Sequence, residues 1–158
     1  MIFYTILKFA HLFGLAIGYG GVLFTALMSA RSLKDANLFK AASKFASFFS
    51  IFIWGGVILL VVSGVMLEDF WYKHGINIEE NSILEIKKAI VILIVFHGIY
   101  VNLYLARKMK KFAELKDPFV APGFNKFKIL GIISASTSLI LWSVAVILGV
   151  WVAASIIL

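Results

Sequence analysis

Two histidines attract attention first, because each lies inside a long apolar segment where ionisable side chains are rare and usually functional. His11 is in the first such segment and His97 is in the third. Neutral imidazole is a ligand for iron, copper and zinc. Two histidines leave a tetrahedral zinc site incomplete, whereas haem brings four equatorial nitrogens and needs only axial ligands from the protein. The residue types therefore favour haem iron held between His11 and His97.

The composition limits the class of protein that can carry such a site. Of the 158 residues, 62% are hydrophobic and 15% are charged, and there is no cysteine. A soluble domain cannot bury that much apolar surface, whereas lipid can face it directly. The lack of cysteine excludes disulfides, iron–sulfur clusters and covalent haem attachment through Cys-x-x-Cys-His, so a haem here would be held non-covalently.

Four apolar stretches have the length that a membrane helix needs, which is about 20 residues. Their lengths and unbroken apolar character exclude transmembrane strands, which are shorter and alternate polar with apolar residues. We predict an all-α, integral membrane four-helix bundle with up-down-up-down topology, as a single transmembrane domain over residues 1–158. The predicted helices span approximately residues 2–30, 40–68, 83–106 and 126–157.

The charges in the connecting loops predict the orientation. The first and third loops are basic and the second is acidic, with Glu68, Asp69, Glu79, Glu80 and Glu85 around Lys73. Cytoplasmic loops carry an excess of Lys and Arg. We therefore expect a multi-pass protein of the cytoplasmic (inner) membrane with both termini outside. The net charge of +7 follows from these loops, and no nucleic acid partner is expected because the basic loops lack interleaved aromatic platforms.

The first and third helices would run in the same direction, which allows the depths of their histidines to be compared. With helix starts near Ile2 and Glu85, a rise of about 1.5 Å per residue places His11 about 14 Å deep and His97 about 18 Å deep. Two imidazoles at one level favour a shared ligand between them. The alternative is that each histidine only hydrogen-bonds to backbone carbonyls or hydroxyls within the bundle.

Small and basic residues surround these histidines. Gly14 and Gly18 share the face of His11, and Gly64 lies in a similar small-residue pattern on the second helix; such surfaces admit a flat porphyrin, but they also pack helices closely. Lys8 and Lys87 lie towards the predicted outer side of the two histidines, where they would meet haem propionates or snorkel to lipid phosphates.

Several short motifs together resemble the copper-resistance protein D superfamily, which is similar to the small membrane protoporphyrinogen oxidase of bacteria, a haem b protein. They are Phe9-Ala10-His11-Leu12-Phe13-Gly14 with Gly20-Gly21, then Trp54-Gly55-Gly56 and Val62-Ser63-Gly64, and finally Lys87-Lys88 with His97. The resemblance implies that His11 and His97 match the family's histidines. It also implies that Lys87 or Lys88 matches the lysine of the oxidase.

The sequence thus predicts a b-type haem protein with bis-histidine ligation that transfers electrons, with quinone, a cytochrome or a small oxidant as its partner. A protoporphyrinogen-oxidase-like enzyme is one alternative. Others are a copper or metal transport or accessory protein without haem, and a structural subunit in which the histidines only pack. A homodimer that joins through glycine faces is also expected.

Overall fold

The computed structural model describes residues 2–75 and 82–157, and these ranges are almost entirely helical. Glu79 and Glu80 of the predicted acidic loop lie outside the described residues. No strand occurs in the described ranges, which confirms the all-α prediction. The elements in order are α1 (Ile2–Ser32), α2 (Ala36–Lys73), α3 (Ser82–Tyr100), a π-helical turn (Val101–Leu105), α4 (Ala106–Ala113) and α5 (Phe124–Ile157).

Helix α3, the π-helical turn and α4 form one continuous rod from Ser82 to Ala113. In the π-helical turn, the N–H of Ala106 donates to the carbonyl of Val101, five residues back instead of four. Together with α1, α2 and α5, this rod gives the described ranges four helices that are long and apolar enough to cross a membrane.

All four helices are longer than the sequence predicted, and two of the extensions, at the start of α2 and at the end of the third rod, have a clear local cause. Helix α2 begins at Ala36 because the carboxylate of Asp35 accepts hydrogen bonds from the N–H groups of Asn37 at 2.8 Å and Leu38 at 3.1 Å. The third rod runs past residue 106 because Met109 is buried in a cluster at that end.

The outer surface of the bundle is apolar along all four rods. Phe9 is 67% exposed, Ile51 71%, Phe96 66% and Val150 67%. In water such a continuous apolar surface would drive association, whereas in a bilayer it contacts acyl chains. The bundle is therefore built to be surrounded by lipid.

The helices alternate in direction, so the two ends of the bundle differ in charge. We call the end that carries Glu68, Asp69 and Glu85 the acidic end, and the end that carries the α1–α2 and α4–α5 connections the basic end. Helix α1 packs along α2, α3 packs along α5, and α1 also contacts α5. Helices α1 and α3 thus lie across the bundle from each other.

Glycines bring α1 and α2 into backbone contact. A Cβ added to Gly56 would lie 2.6 Å from the nitrogen of Gly18 and 2.8 Å from the carbonyl oxygen of Gly14. No side chain fits between backbones at this separation. The small residues of α1 and α2 therefore form the close helix–helix interface that such patterns favour in membranes.

An aromatic cluster holds the basic end together. Phe39 of α2 is only 1% exposed, and its ring centroid lies 5.6 Å from that of Phe124 and 6.4 Å from that of Phe127. Met109 of α4 is buried in the same cluster. The cluster therefore joins α2, α4 and α5.

Candidate functional site

His11 is half-buried where α1 meets α2, and its hydrogen bonds fix its tautomer. Its Nδ1 lies 3.0 Å from the hydroxyl oxygen of Ser63. That hydroxyl donates its single proton to the carbonyl of Leu59, at 2.5 Å. The Ser63 oxygen can then only accept from His11, so Nδ1 carries the proton and Nε2 keeps its lone pair. A metal-binding histidine has this arrangement, in which one ring nitrogen donates to an oxygen and the other faces the metal.

His97 has the opposite arrangement. Its Nε2 lies 3.0 Å from the backbone carbonyl oxygen of Ser134, which can only accept, so this nitrogen is the protonated one. The Ser134 hydroxyl is also close to Nε2, at 3.2 Å. The imidazole is thereby tied to α5 through the nitrogen that would be sterically freest to bind a metal. These contacts match the alternative in which the histidine hydrogen-bonds within the bundle.

The structure does not bring His11 and His97 to one level. Gly18 of α1 contacts Trp142 of α5, and His11 and Gly149 each lie seven residues from that contact towards the acidic end, so Lys87, which lies beside Gly149, is at the level of His11. His97 lies ten residues further along the same rod as Lys87, or about 15 Å at 1.5 Å per residue. Helix α2 gives the same offset, because Gly64 contacts His11 whereas Trp54, ten residues away, contacts Gly98.

The lysines near the acidic end differ in their surroundings. Lys87 points into the bundle, with its Nζ 3.3 Å from the position that a Cβ on Gly149 would occupy. Lys88 points elsewhere and forms ion pairs with Glu68 at 2.7 Å and Glu85 at 2.8 Å. Lys8 is exposed, with its Nζ 4.9 Å from the ring centroid of Tyr4. Of the two lysines that the resemblance left open, the inward one is Lys87.

The predicted glycines have two different environments. Gly14 faces the backbone of α2, and a Cβ on Gly18 would lie 2.5 Å from the indole ring of Trp142. These two glycines are thus covered by protein. Gly64 instead lies beside the His11 imidazole, with 3.4 Å between an added Cβ and the ring carbon Cε1. An added Cβ at this distance would make ordinary van der Waals contact, so Gly64 borders the imidazole but is not required to make room for it.

Two further polar groups belong to this part of the molecule. Ser63, which orients His11, lies in the apolar helix α2 at a position facing α1. Its spacing from Gly56, another small residue of that helix, was the sequence feature that could have identified it. The indole nitrogen of Trp71 is buried at the acidic end and has no hydrogen-bond partner among the described residues. Trp71 packs against Leu84 and Val152, one helical turn from Lys87 and Gly149. No sequence pattern distinguished Trp71 from an ordinary residue of the interfacial aromatic belt.

The fold and this site define an integral membrane protein, a four-helix bundle that encloses a histidine, a serine and a lysine in its acidic half. The described residues contain no group of three or more His, Cys, Asp or Glu side chains that could hold a bare metal ion. No protein-family model, curated protein or solved structure matches the chain.

Proposed function

We propose that this protein binds haem b near the acidic end of the bundle, with Nε2 of His11 as an axial ligand of the iron, and that it transfers electrons. The observation that carries the proposal is the tautomer of His11. Ser63 holds the Nδ1 proton, so the lone pair of Nε2 is available to a metal. Haem suits this site because it needs few protein ligands, and a bare ion would need more than the described residues offer.

The groups around His11 also suit the edge of a haem that carries the two propionates. Lys87 supplies a positive charge inside the bundle, and Trp71 supplies a buried N–H donor one helical turn nearer the acidic end. Propionate groups are carboxylates, which accept charge-assisted hydrogen bonds from such donors. Haem bound here would supply the reversible one-electron chemistry of its iron, while Lys87 and Trp71 would fix its orientation.

Ligation of the haem iron by both His11 and His97, which the sequence predicted, does not suit this arrangement. His97 lies about 15 Å further along the rod than Lys87, and its Nε2 is occupied by Ser134. A residue displaced that far along the bundle would not hold the same haem iron as His11. We therefore assign His11 as the ligand and His97 as a hydrogen-bonded residue of the α3–α5 interface.

The orientation and the partners belong to the same proposal. The positive-inside bias places the basic end in the cytoplasm and both termini outside the inner membrane, so that the haem lies in the outer half of the bilayer. Quinone, a cytochrome or a small oxidant would exchange electrons with it. Gly20, Gly55 and Gly131 have no atoms within 4 Å of an added Cβ, which leaves them available for contact with a second copy of the chain.

A protoporphyrinogen-oxidase-like enzyme is the second candidate, and one observation favours it. The resemblance pairs a histidine on the first helix with a lysine on the third, and here Lys87 is the lysine that points into the bundle at the level of His11. Membranes that contain the protein would then convert protoporphyrinogen to fluorescent protoporphyrin faster than membranes without it, with the electrons and protons removed from the substrate passing to a membrane quinone. Equal rates would exclude this candidate.

An optical experiment tests the haem proposal. The protein is expressed with ample haem and purified in detergent, haem is quantified per chain, and a reduced-minus-oxidised spectrum is recorded. We expect a b-type spectrum that is lost in His11→Gly and restored when imidazole is added, because the free ligand can fill the space of the missing side chain. His97→Ala is the matched control and should keep the spectrum.

Three results would contradict the proposal. The first is a colourless wild-type protein that elutes as a single species, which would favour the metal-accessory or structural alternatives. The second is equal loss of haem in His97→Ala and His11→Gly when both variants elute as the wild type does. The third is a His11→Gly variant that keeps its spectrum without imidazole.

A further inference from the structure

A cavity of about 440 Å³ lies between the four long helices in the basic half of the bundle. Its lining extends from Trp142 and the His97 partner Ser134 to the Phe39 cluster at the basic end. His11 and Lys87 are not part of its lining. The cavity is thus separate from the proposed haem site, and its volume is within the range of sites that bind small organic molecules.

The lining of the cavity indicates an uncharged ligand. Most of it is aliphatic and aromatic, and Lys128 is the only charged residue among the described lining residues. Lys128 is exposed and belongs to the basic end. A ligand with a full charge would lose its hydration in such a cavity without a buried counter-charge, which is costly. A neutral, lipid-soluble molecule avoids that cost.

Two features of the lining indicate a ring with hydrogen-bond acceptors. Trp54 and Trp142 supply flat aromatic surfaces on opposite helices, α2 and α5. Asn102, in the π-helical turn, is an exposed residue that lines the cavity, and no described residue hydrogen-bonds to its side chain. The amide therefore has two N–H donors to offer to a carbonyl group. π-Helical turns within α-helices are frequently found at functional sites.

We propose that this cavity binds the ring of a membrane quinone, with Asn102 donating to a quinone carbonyl and the isoprenoid tail leaving towards the lipid. The choice of a quinone rests on the proposed redox function, because a quinone is the lipid-soluble electron carrier that such a protein would use. The cavity itself, its apolar lining and the free amide do not depend on haem.

Quenching of tryptophan fluorescence by a decyl-substituted benzoquinone tests the proposal. Trp71 and Trp151 do not line the cavity, so both are first changed to Phe, which leaves Trp54 and Trp142 as the reporters. We expect saturable quenching by the quinone in protein purified without haem. Because the measurement needs no haem, its failure is distinguishable from failure of the haem proposal.

Cavity variants give the test its specificity. Ala26→Leu places three extra carbons inside the cavity and should weaken quinone binding at least tenfold, whereas Ala16→Leu, on the exposed face of the same helix, should leave it unchanged. Asn102→Leu keeps the side-chain size but removes the amide, and should weaken binding about tenfold, which corresponds to about 1.4 kcal/mol.

Two outcomes would overturn the proposal. Quenching that does not saturate, or that is the same in Ala26→Leu and Ala16→Leu, would show only partition of the quinone into detergent. Displacement of the quinone by dodecane at equal concentration, combined with no effect of Asn102→Leu, would show that the cavity holds a lipid acyl chain and does not recognise a quinone ring.

Discussion

Replacement of Gly56 by alanine should destabilise the bundle, because Gly56 lies where the backbones of α1 and α2 touch. The added Cβ would be 2.6 Å from the nitrogen of Gly18 and 2.9 Å from its Cα. Ordinary van der Waals contact begins at about 3.4 Å, so the two helices must separate by close to 1 Å. The obstructing atoms are backbone, and no flexible side chain can move aside. Overpacking of this kind costs about 1–3 kcal/mol.

Gly55→Ala is the matched control, since nothing lies within 4 Å of a Cβ added at that neighbouring position. Reversible unfolding in detergent, with increasing amounts of sodium dodecyl sulfate, would measure the free energy of unfolding of both variants. We expect Gly55→Ala to equal or slightly exceed the wild type, because alanine favours the helix over glycine. The reasoning would be refuted if Gly56→Ala unfolded at the same detergent fraction as Gly55→Ala.

Three further substitutions, two of them paired with a control variant, test the site and the helix ends. Ser63→Ala removes the acceptor that holds the Nδ1 proton of His11. Because such supporting partners contribute about 10–100-fold to metal affinity, this variant should weaken haem retention by that factor. Ser134→Ala, at the other histidine, is the control and should have no effect on haem. Lys88→Gln breaks ion pairs that are largely exposed and should change the free energy of unfolding by less than about 1 kcal/mol, measured in the same detergent titration. Asp35→Ala removes the cap of α2 and should cost about 1 kcal/mol, with Asp35→Asn restoring most of it.

Much of the fold follows from the amino-acid sequence, because each span in lipid must satisfy its own backbone hydrogen bonds and therefore forms a helix. The number of spans and their alternation depend only on apolar length and on the loops between them. The ends of the helices were predicted less accurately, because the cap formed by Asp35 and the burial of Met109 extend two helices beyond their apolar stretches. The placement of these ends is decided by single side chains.

The relative levels of the histidines could not be obtained in the same way. The sequence estimate measured each depth from the start of its own helix and assumed that α1 and α3 begin at one height. In the structure, the height of α1 is set by Gly14 and Gly18 against Gly56, while α3 packs along α5. Because α1 and α3 are not direct neighbours, two separate interfaces decide their offset, and hydropathy contains no information about either.

The roles of the two histidines also depended on partners that lie far away in the chain. Ser63 is 52 positions from His11, and Ser134 is 37 positions from His97. A hydroxyl partner and a carbonyl partner assign the ring proton to different nitrogens, so two residues of the same type acquire different chemistry. The sequence identified both imidazoles, and only their surroundings distinguish the proposed ligand from the hydrogen-bonded residue of the α3–α5 interface.

The π-helical turn at Val101–Leu105 determines which face of α4 is directed towards the bundle. An additional residue in one turn rotates everything beyond it by about 100° relative to an uninterrupted α-helix. Met109 faces the Phe39 cluster only because of that rotation. A chain shortened by one residue within this turn would form an uninterrupted α-helix and keep Met109 in the cluster, whereas a full-length chain whose turn became α-helical would direct Met109 away from its neighbours and leave the basic end without its anchor.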